Sequence, residues 1–318
     1  MPEPFRYRFC AMASEHELVL YAAEPASAER AAQAAIADVQ RIERKYTRYR
    51  DDSVTATINR AAGGDAIAID AETLALLRYA DRCHRISAGR FDITSGVLRR
   101  AWDFRREPPR VPTGEEIDAA RALIGWERVE WSERDVRLPQ AGMELDFGGI
   151  GKEYAADRAA AILRDHGIAH ALVNLGGDVR ALGARPDGAP WRIGIRDPRD
   201  ADATIATVAL VDDAIATSGD YARYVEVDGR RYCHILDATT GMPVTHFQSV
   251  SVVAPLAVLA GSYATIAMLL GASARAFLDA QAVRYWAVES DGTQAGSETI
   301  NRASATEQQV GSARRANR

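Results

Sequence analysis

The segment 145–157, Leu-Asp-Phe-Gly-Gly-Ile-Gly-Lys-Glu-Tyr-Ala-Ala-Asp, constrains this chain more than any other feature. Asp146 precedes a glycine-rich turn, and Lys152 follows where a helix begins. Glycines, a helix N-terminus and a lysine come together mainly to hold an anion, often a phosphate. The helix is predicted by an apolar face with helical spacing and by a glycine at its end, namely Ala155, Ala159, Ile162 and Leu163, then Gly167.

Two well-known phosphate motifs do not describe this segment. A P-loop requires a glycine where Asp146 stands and a Ser or Thr where Glu153 stands. The G-x-G-x-x-G pattern of dinucleotide-binding folds is not formed either. A structural alternative stays open, in which the glycines only allow close packing at a tight turn between a strand and a helix.

The composition limits the class of protein. The chain has 318 residues, 47% of them hydrophobic, which is enough for a large core. A net charge of -5 argues against nucleic acid as a partner, since such proteins carry a concentrated basic surface. Cys10, Cys83 and Cys233 are too far apart for a disulfide framework or a metal motif.

Neither a membrane span nor a secretion signal is predicted. No apolar run reaches the roughly 18 residues of a spanning helix, and no apolar stretch precedes Cys10 as in a signal peptide or lipoprotein signal. We therefore expect a cytoplasmic protein, or a periplasmic one if a leader has been removed.

The periodicity of the chain predicts an α+β fold, because helices and strands mix without a regular βαβ rhythm. Helices are expected at 27–44, 71–86, from the capping box 113–116 to before Gly125, at the Lys152 segment and at 258–270. Strands are expected at 16–23, 170–175, 191–195, 204–211, 214–217, 225–237, 250–254 and 284–289. A hairpin is expected in 126–138, and Asp228–Gly229 predicts a hairpin turn within 225–237. We expect one domain over 1–289, and a disordered tail over 290–318, where the sequence is polar and lacks apolar periodicity.

Four further motifs carry residues that could do chemistry. The segment 89–96 places Asp92 in a turn, either as a functional group or as the acceptor of an Asx turn. The segments 174–178 and 216–220 offer glycines and hydroxyls, either for a ligand or as plain turns. The segment 232–241 contains His234 close to Asp237; a carboxylate can orient an imidazole as a general base, although a lone histidine is more often structural.

Taken together and in order, these segments resemble the ApbE family, the FAD:protein FMN transferases. The resemblance extends from about residue 12 to residue 289 and depends on six motifs: 46–53 with Asn59, 89–94, 145–157, 174–178 with Trp191, 217–220 and 232–241. It implies a two-lobed, T-fold-related α+β architecture of mixed helices and antiparallel sheets, with the ligand in a cleft between the lobes.

The resemblance also implies a reaction. Members cleave the pyrophosphate of FAD with Mg²⁺, attach FMN through a phosphoester to a Ser or Thr of an acceptor flavoprotein, and release AMP. Some members hydrolyse FAD to FMN and AMP instead. An FAD pyrophosphatase and a non-catalytic flavin-binding protein are therefore the alternatives to a transferase.

The resemblance assigns roles to individual positions. His234 matches the histidine that takes the proton of the attacking hydroxyl. The expected FAD contacts are Met12, Tyr49, Arg90, Phe91, Asp92, Asp146, Lys152 and Ile235. Gly149 and Thr265 match positions that bind the metal ion.

The chain departs from the family pattern at the expected metal site. Gly261 stands where the family has a metal-binding aspartate, and Mg²⁺ in proteins commonly takes one or two carboxylates. Glu153 stands where the family has a glycine. It could supply the missing carboxylate, but the sequence does not show whether it reaches the site.

Overall fold

The computed structural model describes residues 3–302, and its first elements show how local sequence sets the architecture. Strand β1 (Phe5–Ala11) pairs antiparallel with β2 (Ser14–Tyr21). Helix α1 (Pro25–Tyr46) follows, with Pro25 in its first turn, where a missing backbone N–H has no consequence. It buries an apolar stripe at helical spacing: Ala28, Ala31, Ala32, Ala35, Ile36, Val39 and Ile42.

Six more helices are described: α2 (Val54–Arg60), α3 (Ala71–Ile86), α4 (Gly114–Arg121), α5 (Gly151–Asp165), α6 (Ala257–Leu270) and α7 (Ala274–Ala280). Their N-termini follow the capping rules in part. Ser53, Asp70 and Thr113 each accept a backbone N–H at the start of α2, α3 and α4, and Thr113 with Glu116 forms the predicted capping box. Gly167, with φ +81, ends α5 as predicted.

The remaining strands complete four sheets. They are β3 (Ile67–Ala68), β4 (Glu130–Trp131), β5 (Asp135–Arg137), β6 (His170–Leu175), β7 (Asp178–Leu182), β8 (Trp191–Arg196), β9 (Thr204–Leu210), β10 (Ala214–Gly219), β11 (Tyr224–Val227), β12 (Arg230–Cys233), β13 (Phe247–Ala254), β14 (Arg284–Glu289), β15 (Gln294–Gly296) and β16 (Asn301–Arg302). The largest sheet has the order β1-β2-β6-β7-β10-β13-β14-β15, and every pair in it is antiparallel. The smaller ones are β16-β9-β8, β3-β5-β4 and β11-β12. The predicted α+β class is confirmed.

The large sheet is buried on both faces, as the alternation along β2 shows. Leu18 and Leu20 point into the main core with α1, α5 and α6, while Val19 points into a second core with Trp191 and Val208 of the smaller sheet. The fold therefore has helices on one face of the large sheet and the β16-β9-β8 sheet on the other.

Helix α6 is apolar on nearly all sides because it lies inside the protein. The stretch Ala257–Ala280 is long and apolar enough to cross a membrane by length and composition, but 61% of its apolar window is buried in the fold. Such burial is typical of a central core helix.

The structure corrects several expected boundaries. β1 and β7 were not predicted. The hairpin turn expected at Asp228–Gly229 joins β11 and β12 as predicted, but β12 ends at Cys233, before the expected boundary at residue 237. The segment 216–220, expected to be a loop, belongs largely to β10. The fold also continues past residue 290, because β15 and β16 lie in the expected tail; residues 303–318 of that tail lie outside the described residues.

Candidate functional site

One cavity brings together most of the predicted site residues. Its volume is about 1030 Å³, at the upper end of the range for small-molecule and cofactor sites. Of the predicted residues it is lined by Arg90, Phe91, Asp92, Asp146, Gly149, Lys152, His234, Ile235 and Thr265. These residues come from segments far apart in the sequence, so the tertiary fold creates the cavity.

Met12 and Tyr49, two of the expected flavin contacts, do not line this cavity. Met12 has a φ of +50, and its backbone N–H donates to the Glu43 carboxylate at 2.5 Å. Tyr49 is 69% exposed, and the guanidinium groups of Arg48 and Arg105 lie over its ring. Met12 and Tyr49 therefore lie outside the set of predicted site residues that line the cavity.

The glycine turn and the start of α5 form one wall of the cavity. The carboxylate of Asp146 accepts the Gly148 N–H at 2.8 Å and forms ion pairs with Arg48 and Arg99. No side chain caps the N-terminus of α5, where Ile150 precedes Gly151. A helix N-terminus without a capping side chain, beside cationic groups, is suited to an anionic ligand.

Three titratable side chains, those of Lys152, Glu153 and Asp178, meet behind this turn. The Lys152 ammonium lies 2.7 Å from the Asp178 carboxylate. Burial opposes the charge of Lys152, but Asp178 and Glu153 raise its pKa above the ordinary value, so the lysine is a cation at neutral pH. Burial, and then repulsion from Asp178, raises the pKa of Glu153.

Asp92 has a structural role that its neighbours define. One of its carboxylate oxygens accepts the backbone N–H and the hydroxyl of Thr94, and the other accepts the backbone N–H of Trp126. This is the Asx turn that the sequence allowed. The carboxylate therefore organises the loop that bears Arg90 and Phe91, and it has no oxygen left without a donor.

His234 lies in the cavity, but Asp237 does not orient it. The imidazole Nδ1 of His234 lies 3.1 Å from the carbonyl oxygen of Arg223, while Asp237 pairs with Arg90. Because a carbonyl only accepts, Nδ1 must carry the proton, and Nε2 is left as the acceptor. Burial, with the nearby cations Arg223, Arg99 and Lys152, lowers the pKa of His234 to about 4.

The expected position of a metal ion has oxygen donors of suitable chemistry. Gly149, Glu153 and Thr265 line the same cavity. The Thr265 hydroxyl is 2.8 Å from the Ser218 hydroxyl, and Glu153 Oε2 is buried with no hydrogen-bond partner. Over residues 3–302 no three His, Cys, Asp or Glu side chains cluster as a metal centre, so a cation here would also need hydroxyl, carbonyl or water oxygens. Mg²⁺ is commonly bound in this way, with few carboxylates.

Several functional candidates could not be found in the sequence. Arg99 lines the cavity from a short 3₁₀ helix, Ser95–Arg100, and Arg196 lines it from the end of β8. Arg223 holds His234 through its backbone carbonyl. No local motif marks Arg99 or Arg196, because each reaches the site only through long-range packing. Arg223 faces His234 across the β11–β12 hairpin, and only the strand register of that hairpin identifies it.

The chain matches the ApbE family over residues 12–287. It is 34% identical over 239 residues to an FAD:protein FMN transferase of Vibrio cholerae, covering 73% of this chain and 71% of that protein. Its fold is similar to the crystal structure of the ApbE protein of Thermotoga maritima, with a TM-score of 0.87, 33% identity and coverage of 93% and 98% of the two chains. It is also similar to the flavinyl transferase ApbE of Pseudomonas stutzeri, with a TM-score of 0.83, 28% identity and coverage of 93% and 95%.

Proposed function

The chain belongs to the ApbE family, and from this we propose that it is an FAD:protein FMN transferase. The reaction cleaves the FAD pyrophosphate, attaches FMN by a phosphoester to a Ser or Thr of an acceptor flavoprotein, and releases AMP. The observation that carries the proposal is that an imidazole with an available Nε2, a charged lysine and an uncapped helix N-terminus share one cavity.

His234 is suited to remove the proton from the acceptor. Its Nδ1–H donates to the Arg223 carbonyl, which fixes the tautomer and presents Nε2 as the base. The hydroxyl oxygen forms a bond to the FMN phosphorus, and its proton moves to Nε2. The bond from that phosphorus to the bridging oxygen breaks, and AMP leaves with the bridging oxygen and its electron pair.

The cationic groups of the cavity suit the pyrophosphate. Lys152 and Arg99 line the cavity, and the N-terminus of α5 adds the positive end of a helix dipole. Phosphoryl transfer depends mainly on positioning and on charge stabilisation, which these groups supply.

The magnesium dependence of the reaction is part of the same proposal. Thr265 and the Gly149 carbonyl would hold Mg²⁺, as the family resemblance implies, and both residues line the cavity. The ion, when bound, neutralises charge on the pyrophosphate.

The test is to incubate the purified protein with FAD, Mg²⁺ and a candidate acceptor flavoprotein. We expect AMP and an acceptor that stays fluorescent in a denaturing gel, in equal amounts. The control is the same acceptor with its Ser or Thr replaced by Ala. AMP without a labelled acceptor would indicate an FAD pyrophosphatase, and FAD binding without AMP would indicate a non-catalytic flavin-binding protein.

A further inference from the structure

Glu153 is an unusual residue because a buried carboxylate oxygen is left without a donor. The residue is 9% exposed, and Oε2 has no hydrogen-bond partner. The nearby Lys152 ammonium is already paired with Asp178 at 2.7 Å. Two carboxyl groups, those of Asp178 and Glu153, therefore share one ammonium in this part of the cavity. A buried carboxylate is tolerated when a cation or a proton compensates it.

The space occupied by Glu153 exists because residue 261 is a glycine. A Cβ atom built on Gly261 would lie 2.5 Å from Glu153 Cγ and 2.9 Å from its Oε1. Gly261 lies within α6 and does not have a positive φ, so the backbone does not require glycine there. Glycine inside a helix costs about 1 kcal/mol relative to alanine. The packing of Glu153 is therefore the physical reason for Gly261.

The Glu153 carboxylate thus lies against the part of α6 that bears another oxygen donor. Thr265 is four residues after Gly261, so both are on one face of the helix. Thr265, Glu153 and Gly149 line one cavity, and they come from α6, α5 and the turn before α5.

We propose that Glu153 is the carboxylate ligand of a divalent-cation site in this cavity, reaching from α5 into the space that Gly261 leaves on α6. The carboxylate that the family resemblance places at position 261 is then supplied from the neighbouring helix. Thr265 and the Gly149 carbonyl complete the protein oxygens, and water fills the remaining positions of the hard cation. The inference rests on the proposed function only for the identity of the ion, Mg²⁺.

The test measures metal binding directly and needs no turnover. Mn²⁺, which can replace Mg²⁺ at oxygen sites, is titrated into the protein, and the free ion is followed by electron paramagnetic resonance. The titration is repeated with FAD, with FAD alone as the blank. Glu153→Gln keeps the shape of the side chain and removes the charge of the carboxylate. Loss of a hydrogen-bond partner outside the coordination shell already weakens metal binding by roughly 10–100-fold, so loss of a direct ligand should weaken Mn²⁺ binding by at least that much. Thermal melts establish that each variant is folded.

Two further variants sharpen the test. Glu15→Gln removes one exposed carboxylate from the same cavity and should leave Mn²⁺ affinity within about threefold of the wild type, well below the loss expected for a ligand. The double variant Glu153→Ala with Gly261→Asp moves the carboxylate from α5 to α6. We expect it to bind Mn²⁺ more tightly than Glu153→Ala alone.

The proposal is overturned if folded Glu153→Gln binds Mn²⁺ like the wild type, or if the wild type binds no Mn²⁺ with or without FAD. Loss of binding in Asp178→Asn but not in Glu153→Gln would also overturn it, because Asp178 would then be the ligand. Binding through Glu153 without FMN transfer would reject the proposed function and leave this inference standing. If the wild type transfers FMN but Glu153→Gln binds Mn²⁺ as tightly as the wild type, the proposed function stands and this inference is rejected.

Discussion

His234 is held by a backbone carbonyl and not by a carboxylate: its Nδ1 lies 3.1 Å from the oxygen of Arg223. The nearby Asp237 is instead paired with Arg90. A carbonyl selects the tautomer as well as a carboxylate does, but it adds no full negative charge to stabilise an imidazolium. The base is thus well oriented and, in the free protein, weakly basic.

Replacing His234 by Ala should remove transfer but leave FAD binding nearly intact. General-base assistance contributes about 10²–10⁴ in rate, and the imidazole acts on the acceptor hydroxyl. The transfer rate and FAD affinity, measured on the same preparation, test this expectation. His166→Ala, which changes an exposed histidine at the end of α5, is the control. Transfer within a fewfold of the wild type in His234→Ala would show that this histidine is structural.

The pH dependence of transfer follows from the lowered pKa of His234, about 4 in the free protein. The neutral form is the base, so the competent fraction should stay near one down to about pH 5, whereas an ordinary histidine would be half protonated near pH 6.5. The value of kcat/KM for FAD, which reports groups of the free enzyme, should therefore show no His234 titration near pH 6.5. A fall centred there, with FAD binding unchanged, would contradict the expectation.

The lowered pKa of His234 should also make the stability of the fold depend on pH. Because the folded state disfavours protonation of His234, the unfolded chain binds more protons between about pH 6.5 and about 4. This histidine therefore contributes stability above about pH 6.5 that is lost as the pH falls through that window. Urea unfolding of the wild type and His234→Gln at several pH values should show a smaller loss of stability in the variant as the pH falls.

FAD should bind more tightly than FMN, by at least about tenfold, which is about 1.4 kcal/mol. The cavity of about 1030 Å³ is large enough for an extended dinucleotide, and its cations Lys152 and Arg99 suit a pyrophosphate. Calorimetry with FAD, FMN and riboflavin separates the contribution of the adenylate group from that of the FMN phosphate. Equal affinities for FAD and FMN would argue against an adenylate site in this cavity.

Asp92→Ala should lower the free energy of unfolding by about 1–3 kcal/mol, because it leaves the buried N–H groups of Thr94 and Trp126 without their acceptor. Asp92→Asn keeps one oxygen and should lose less. Asp118→Ala, at an exposed position of α4, should change stability by less than about 0.5 kcal/mol. Denaturant unfolding gives all three values. A stable Asp92→Ala variant would show that these hydrogen bonds contribute little.

The contact between Gly261 and Glu153 predicts that Gly261→Ala destabilises the wild type but stabilises a variant that lacks the Glu153 side chain. Gly261→Ala alone should destabilise the fold by about 1–3 kcal/mol, because its Cβ would lie 2.5 Å from Glu153 Cγ. In a Glu153→Ala background the same change should stabilise α6, by up to about 1 kcal/mol, through helix propensity. Unfolding free energies of the four proteins test the coupling. Gly114→Ala, where a Cβ meets nothing within 4 Å, is the steric control. Additive effects would rule out a direct contact.

Elements set by short-range rules could be predicted from the sequence. Helix α3 spans Ala71–Ile86 as expected, since its apolar spacing is local and Asp70 caps it. The start of α5 and its glycine end were predicted for the same reason. The order of six motifs along the chain was enough to indicate the family, because motif order does not depend on knowing the packing.

The tertiary structure decided how distant groups pair. His234 and Asp237 are neighbours in sequence, yet β12 ends at Cys233 and Arg90 takes the carboxylate from another segment. Whether Glu153 reaches α6 could not be read from the sequence either, because the answer depends on the packing of two helices and on a missing side chain at Gly261. Spacing and capping act over a few residues, whereas the charges of a buried cavity are balanced by whichever segments the fold brings together.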